Sequence, residues 1–352
     1  MNLQPDAEVV TLVTGRLGQI ILNRPRALNA LNHDMIRRID TALRAWACDD
    51  AVSAVLIRGT GERGLCAGGD IRAIHEDVRT GGGASPAFWR DEYRLNALIA
   101  RYGKPYVALM DGIVMGGGVG VSAHGGVRIV TERTALAMPE TTIGFLTDVG
   151  GTYLLSRAPG ELGTHMALTS AAIGAGDAVA CGLADHFVPS ADLGALTAEL
   201  ASGDVAGVVA AFARPVPPGK LTGERGWIDA CYSAETVEEI VERLLGDGAE
   251  EAKRAAELVS ARSPTALKVT LRALRLARGL GSLEEALDQE YRVACAMPSA
   301  PDLVEGIRAQ VIDKDRSPRW SPARLEEVSE RDVDRFFAPL GEHELGLSAG
   351  PG

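Results

Sequence analysis

The sequence predicts an α/β protein whose core of repeated strand–strand–helix turns is followed by a helical C-terminal region. Short β-branched and apolar runs alternate with helical stretches as far as Pro189. Two glycine-rich segments each lie between a strand and a helix, and beyond Pro189 the apolar residues fall at helical spacing.

Taken in order, Val9–Val13 and Gln19–Leu22 read as strands, separated by Gly15 and Gly18. Leu31, Met35, Ile36, Ile39, Leu43 and Trp46 then recur at three- and four-residue steps, the spacing of an amphipathic helix. Strand character returns at Ser53–Ile57 and stops at Gly59. Tyr106–Met110 reads as a buried strand, followed by a glycine run, a small-residue helix from about Gly116 and a strand at Val127–Val130. Helices are expected at Leu193–Leu200, Thr236–Leu245, Ala249–Ser260, Ser263–Arg278 and Leu283–Ala296. The proline-rich stretch Ala213–Gly219 separates the two textures. The expected division is therefore a core over 1–210 and a helical region over 211–352, with the last dozen residues, ending SAGPG, read as a frayed tail.

The 352 residues include 36 Lys+Arg and 47 Asp+Glu, a formal charge of −11 that argues against a nucleic-acid partner. Local arginines remain sufficient to hold a small anion. No charge-free stretch reaches the roughly 18 residues of a membrane span; the longest is Gly112–Val127, so no membrane partner is expected. The start, MNLQPDAEVV, has neither a basic n-region nor an apolar core, so the expectation is no leader and a cytoplasmic location. Five dispersed cysteines without a CxxC pair read as reduced thiols, and six histidines without HExxH predict no metal site.

Chemistry concentrates in three segments. Leu65-Cys-Ala-Gly-Gly-Asp70 and Asp111-Gly-Ile-Val-Met-Gly-Gly-Gly-Val-Gly120 suit either tight backbone packing or amides that approach a developing oxyanion. Neither matches a P-loop or a dinucleotide fingerprint. In the third, Ala137–Gly151, Glu140 and Asp148 lie eight residues apart among apolar and glycine residues. Such surroundings raise carboxyl pKa values toward those of general acids and bases; on spacing alone, Asp148 also suits a helix N-cap and Glu140 a solvated turn. Gly120-Val-Ser-Ala-His124 approaches a nucleophile elbow, but His124 stands where the sharp turn needs a small residue, so Ser122 reads as helical.

Together these segments resemble the crotonase (enoyl-CoA hydratase/isomerase) superfamily, and within it the 3-hydroxyisobutyryl-CoA hydrolase branch. The resemblance runs nearly end to end. It includes Leu22-Asn-Arg-Pro-Arg-Ala-Leu-Asn-Ala-Leu31, Leu65–Asp70, Arg90-Asp-Glu-Tyr93, Lys104–Gly112, Gly116–Gly120, Met138-Pro-Glu-Thr141, Asp148-Val-Gly-Gly151 and Val311–Trp320. It implies a spiral fold of β-β-α units acting on a short-chain 3-hydroxyacyl-CoA thioester in valine breakdown. Coenzyme A would enter as part of the substrate, with no separate cofactor.

By the same resemblance, Ala67 and Gly117 supply oxyanion amides, and Glu140 and Asp148 are catalytic. Glu92, Gly117, Glu140 and Asp148 contact substrate; Arg26, Ala27, Leu28, Ala67, Gly68, Asp70 and Ile71 contact coenzyme A. Hydratases of the superfamily carry a second catalytic glutamate three residues after the oxyanion glycine, where this chain has Gly120. Hydration or isomerisation of an enoyl-CoA, and non-catalytic acyl-CoA binding, are the competing readings. Trimers or hexamers are common in the superfamily, so a homo-oligomer is expected unless the helical tail covers the surface a neighbour would take.

Overall fold

The computed structural model describes residues 7–348. The first six residues, part of the stretch read above for a leader, and the last four lie outside them. The frayed tail expected over the last dozen residues is corrected for 341–348: Leu345 is buried, and Asp288 accepts from the Leu347 and Ser348 amides at 2.9 and 3.0 Å.

The first of two compact units comprises residues up to Gly69, Arg94–Ala137 and Ile173–Lys220. It opens with β1 (Val9–Thr14) and β2 (Leu17–Leu22), an antiparallel pair. Helix α1 (His33–Ala47) follows, started by Asn32, whose side chain accepts from the Met35 amide at 2.9 Å. Its buried stripe is Met35, Ile36, Ile39, Leu43 and Trp46, the residues whose spacing predicted it. Next come β3 (Ala54–Gly59) and β4 (Gly64–Cys66). After α2 (Ile71–Thr80) and the start of α3 (Ala84–Ala100), which belong to the other unit, the order repeats. Strands β5 (Tyr106–Met110) and β6 (Ile113–Met115) precede the short α4 (Gly117–Gly120); β7 (Val127–Val130) and β8 (Ala135–Ala137) complete a third turn.

These strands form two sheets. Six strands run in the order β1-β2-β3-β5-β7-β9, with β9 at His186–Phe187 and every pairing after the first parallel. The smaller sheet, β4-β6-β8, is parallel throughout. The three-residue strands were not predicted, because three residues carry no readable period. The small-residue helix expected from Gly116 is only the single turn of α4.

The second unit takes Asp70–Tyr93, Met138–Ala172 and Leu221 onward. It contains α5 (Gly151–Ser156) and α6 (Leu162–Thr169), whereas α7 (Ala175–Ala180), α8 (Leu193–Leu200) and α9 (Val205–Phe212) return to the first unit. Helices α10 (Leu221–Tyr232), α11 (Val237–Gly246), α12 (Glu250–Ser260), α13 (Pro264–Ala277) and α14 (Leu283–Ala296) complete most of it. The last four of these lie within a residue or two of their predicted spans. Helix α6 was missed because all eight of its residues are buried, leaving no amphipathic stripe to read.

The expected single cut at 210/211 is corrected. The late change of unit falls at Lys220/Leu221, and residues 70–93 and 138–172 group with the C-terminal helices rather than with the sheets. Linear texture cannot register two earlier segments that pack against later helices.

Candidate active site

Within the second unit, four acidic side chains and a tyrosine share one buried environment. Helix α3 carries Trp89, Glu92 and Tyr93 at three- and four-residue spacing, which places them on one face. Glu140 opens a 3₁₀ turn, Glu140–Ile143, and the loop after it delivers Asp148. Glu92, Glu140 and Asp148 are only 2%, 5% and 6% exposed, so the solvated-turn reading of Glu140 does not hold. Asp148 is no N-cap either, because α5 begins at Gly151 behind Gly150.

The turn after Asp148 is strained. Val149 has φ +55°, a left-handed conformation unfavourable for a β-branched side chain, and Gly150 follows at φ +78°. Glu290 of α14, 0% exposed, holds that turn from the far side. Its Oε2 accepts from the Gly150 amide at 2.6 Å; its Oε1 accepts from the Thr152 amide at 2.9 Å and the Thr152 hydroxyl at 2.5 Å. Sequence reading missed Glu290, which looks like one polar residue in an ordinary helix until its three donors are seen.

Burial is the first cause of every carboxyl shift here. It lifts Glu92 and Glu140 well above the usual carboxylate range, and the negative charge of Asp148 adds to both. Asp148 rises to about 7, restrained by the Tyr93 hydroxyl, which donates to its Oδ2 at 2.7 Å. Glu290 rises to about 8 against the pull of its Thr152 and Gly150 donors. Glu92 Oε1, Glu140 Oε2 and Thr147 Oγ1 are buried and reached by no hydrogen-bonding group of the described residues. Native interiors satisfy most such atoms, so oxygens left open among these buried acids mark a candidate place for a polar ligand. Trp89 stacks on Phe145 at 5.3 Å and Tyr93 meets Tyr291 edge-on at 6.2 Å, lending aromatic lining.

Tyr93 is a second residue that sequence reading missed as functional. Tyr93→Phe removes the donor that lowers the Asp148 pKa. Its carboxyl is expected to titrate above the present value of about 7, moving to higher pH the alkaline limb of any activity that uses Asp148 as its acid. A pH–rate profile identical to that of the parent protein would refute this.

In the first unit the two glycine segments meet. A Cβ on Gly118 would lie 2.4 Å from the Cys66 carbonyl oxygen, so close backbone packing is one function of the run. Gly68, at φ +110°, lies where a Cβ would be 3.7 Å from the Gly117 amide nitrogen. Ala67 is not the free donor that the resemblance implied, because its N–H donates to the Leu28 carbonyl at 3.0 Å. The next peptide behaves differently. The Gly68 carbonyl accepts from Leu31 at 2.8 Å, and in a trans peptide the Gly69 N–H points the opposite way, away from Leu31. Gly69 therefore replaces Ala67 as the candidate partner of Gly117.

The remaining positions fall in different settings. Arg26 and Ala27 are exposed on a 3₁₀ turn, Pro25–Ala27, and Leu28 follows at φ +54°. Arg63 clamps that turn by donating to the carbonyls of Pro25 and Arg26 at 2.6 and 3.2 Å. Asp70 and Ile71, in the second unit, are the N-cap and first residue of α2. Ser122 is fully buried, with its hydroxyl donating to the Gly118 carbonyl at 2.6 Å, which is incompatible with a nucleophile elbow.

Known proteins provide independent comparisons. A family model described as enoyl-CoA hydratase/isomerase matches residues 17–337. The mitochondrial 3-hydroxyisobutyryl-CoA hydrolase of Danio rerio is 44% identical, with 99% of this chain and 94% of that protein covered. Among solved structures, a carnitinyl-CoA dehydratase from Mycobacterium thermoresistibile is 51% identical with a TM-score of 0.95, covering 98% of this chain and 100% of its own. An enoyl-CoA hydratase from Rhodobacter sphaeroides is 44% identical with a TM-score of 0.92, over 96% and 99% of the two chains.

Proposed function

Because the chain belongs to the enoyl-CoA hydratase/isomerase family, we propose that it hydrolyses a short-chain 3-hydroxyacyl-CoA thioester, with 3-hydroxyisobutyryl-CoA as substrate and 3-hydroxyisobutyrate and coenzyme A as products. The observation that carries this reading is the company Glu140 keeps. It is buried within electrostatic reach of Glu92 and Asp148, whereas the position of a hydratase's second glutamate is occupied by Gly120. Addition of water across a carbon–carbon double bond lacks its second carboxylate here, while acyl transfer to water needs only one activated oxygen and an acid for the leaving group.

In the proposed reaction the ionised Glu140 attacks the thioester carbonyl or takes a proton from the water that does. The amides of Gly117 and Gly69 stabilise the tetrahedral oxyanion; loss of one such donor costs on the order of 3 kcal/mol of transition-state stabilisation. Asp148, titrating near neutrality, delivers the proton to the departing thiolate. Glu92, whose burial raises its carboxyl well above the usual range, accepts a hydrogen bond from the substrate's 3-hydroxyl. Arg26, exposed beside the N-terminal signature, is assigned to the phosphates or adenine of coenzyme A. No separate cofactor enters this scheme.

The solved relatives named for dehydratase and hydratase activity keep enoyl-CoA chemistry as the competing reading. One assay separates the two: free thiol released from 3-hydroxyisobutyryl-CoA against loss of enoyl absorbance from crotonyl-CoA. Thiol release is expected. Its absence with every 3-hydroxyacyl-CoA, alongside turnover of crotonyl-CoA, would establish the alternative, and inactivity toward both would leave a binding subunit.

The compartment we assign is the cytoplasm, on the strength of five cysteines of which none is in a disulfide; the Danio rerio relative is named as mitochondrial. Among the described residues no helix is long and apolar enough to cross a membrane. A trimer or hexamer remains the assembly proposed from the superfamily.

A further inference from the structure

The first unit contains a second cavity, with a cation in its wall. On β3, Ala54 and Leu56 point to the sheet face that packs with Leu109, Leu196, Leu200 and Val209 in one apolar cluster. Arg58 continues the same alternation, so the last side chain of an otherwise apolar row carries a guanidinium. It lines a cavity of about 430 Å³ with Leu65, Leu109, Asp111, Leu193 and Thr197, among others. That volume lies within the range of small-molecule sites, and its walls include the carboxyl ends of β3 and β5, where α/β folds commonly receive ligands.

Among the described residues, Arg58 has no counter-charge paired with it. Its Nε is buried without an acceptor, and among the described residues no carboxylate or carbonyl takes a hydrogen bond from its guanidinium. Asp111, the acid among the lining residues, and Glu132, which binds the lining residue Ser190, are engaged elsewhere. Asp111 pairs with Arg133 at 2.9 Å and accepts from Thr131 at 2.7 Å, while Glu132 holds the backbone and hydroxyl of Ser190. Burial alone weakens the hold of Arg58 on its proton, with no neighbouring charge to offset it. A half-buried cation kept without a partner is costly unless something else supplies the anion.

We infer that this cavity binds a small organic carboxylate, with the carboxylate on the Arg58 fork and a short apolar chain against Leu65, Leu109 and Leu193. The planar fork matches a carboxylate in bidentate geometry, and the leucines favour an acid with a hydrocarbon body over a bare ion. This site draws on none of the residues assigned to thioester cleavage.

Calorimetric titration with hexanoate, 1-hexanol and inorganic phosphate tests the inference on the full-length protein. Hexanoate is expected to bind, with affinity at least about tenfold weaker in Arg58→Gln, a factor worth about 1.4 kcal/mol. Hexanol and phosphate, which each lack half of the recognised chemistry, are expected to bind at least as weakly as hexanoate does to the variant. Thr197→Leu fills the cavity from α8 without touching the cation and should abolish hexanoate binding, so the test survives if Arg58→Gln fails to fold. Thiol release by either folded variant is expected to stay within about twofold of the parent. Equal hexanoate affinity in the parent and a folded variant would overturn the inference, as would phosphate binding as tightly as hexanoate.

Discussion

Glu140→Gln is expected to lower the turnover of 3-hydroxyisobutyryl-CoA by about 10³-fold, in the middle of the range for removal of a positioned acid–base group. The substitution is nearly isosteric and removes only the ability to ionise. Coenzyme A affinity should hold, because the assigned coenzyme contacts lie elsewhere in the chain; loss would then appear in kcat rather than KM. Stability should not suffer. Burial already holds the Glu140 carboxyl above its usual range, so its ionised form bears a desolvation cost that the amide lacks. Single-turnover thiol release and thermal melting at pH 8 check both halves. Near-normal turnover in a folded variant would remove Glu140 from the mechanism.

Glu290→Gln tests whether the turn carrying Asp148 is held in place from α14. A glutamine offers one oxygen where the two carboxyl oxygens now accept from the Gly150 side and the Thr152 side, and its NH₂ would face one of those donors. With one arm lost, Val149 is expected to relax from its positive φ and carry Asp148 with it. Displacement of about 1 Å at a catalytic group costs on the order of 10²-fold, so kcat should fall by roughly that factor with little change in KM. A purely structural role would reduce the amount of folded enzyme and leave kcat per folded site unchanged.

The same variant has a pH signature. The folded-state pKa of Glu290 is raised to about 8, whereas unfolded glutamate titrates near its ordinary value of about 4. Between these limits the native state holds a proton that the unfolded state has lost, so this group's contribution to stability is full below about pH 4 and declines as pH rises toward 8. Glutamine lacks that titration. The difference in melting temperature, variant minus parent, should therefore increase from pH 5 to pH 8. A difference that stays flat would show that Glu290 does not carry the buried proton.

Much of this molecule is legible in its linear order. Helix α1 is announced by the stripe from Met35 to Trp46, and α11 to α14 by similar stripes, because burying one helical face imposes a period that survives in the sequence. Glu92, Glu140 and Asp148 were recognisable as a set through resemblance, and the structure brings them into one electrostatic neighbourhood. Strands β4, β6 and β8 were hidden by their brevity, and α6 by burial on every side.

Other decisions belong to the tertiary structure alone. Whether Ala67 or Gly69 offers a free amide depends on which peptide turns its N–H toward Leu28. Glu290 matters because it reaches a turn 140 residues earlier, and Arg58 because Asp111, the acid in its wall, has already found another partner. Residue identity along the chain determined the α/β class, the helical tail and the inventory of carboxylates and glycines. Folding decided which of those groups lose water, and which donors and charges they then meet. Hydrogen bonding and pKa follow from desolvation and proximity, and neither is a property of linear order.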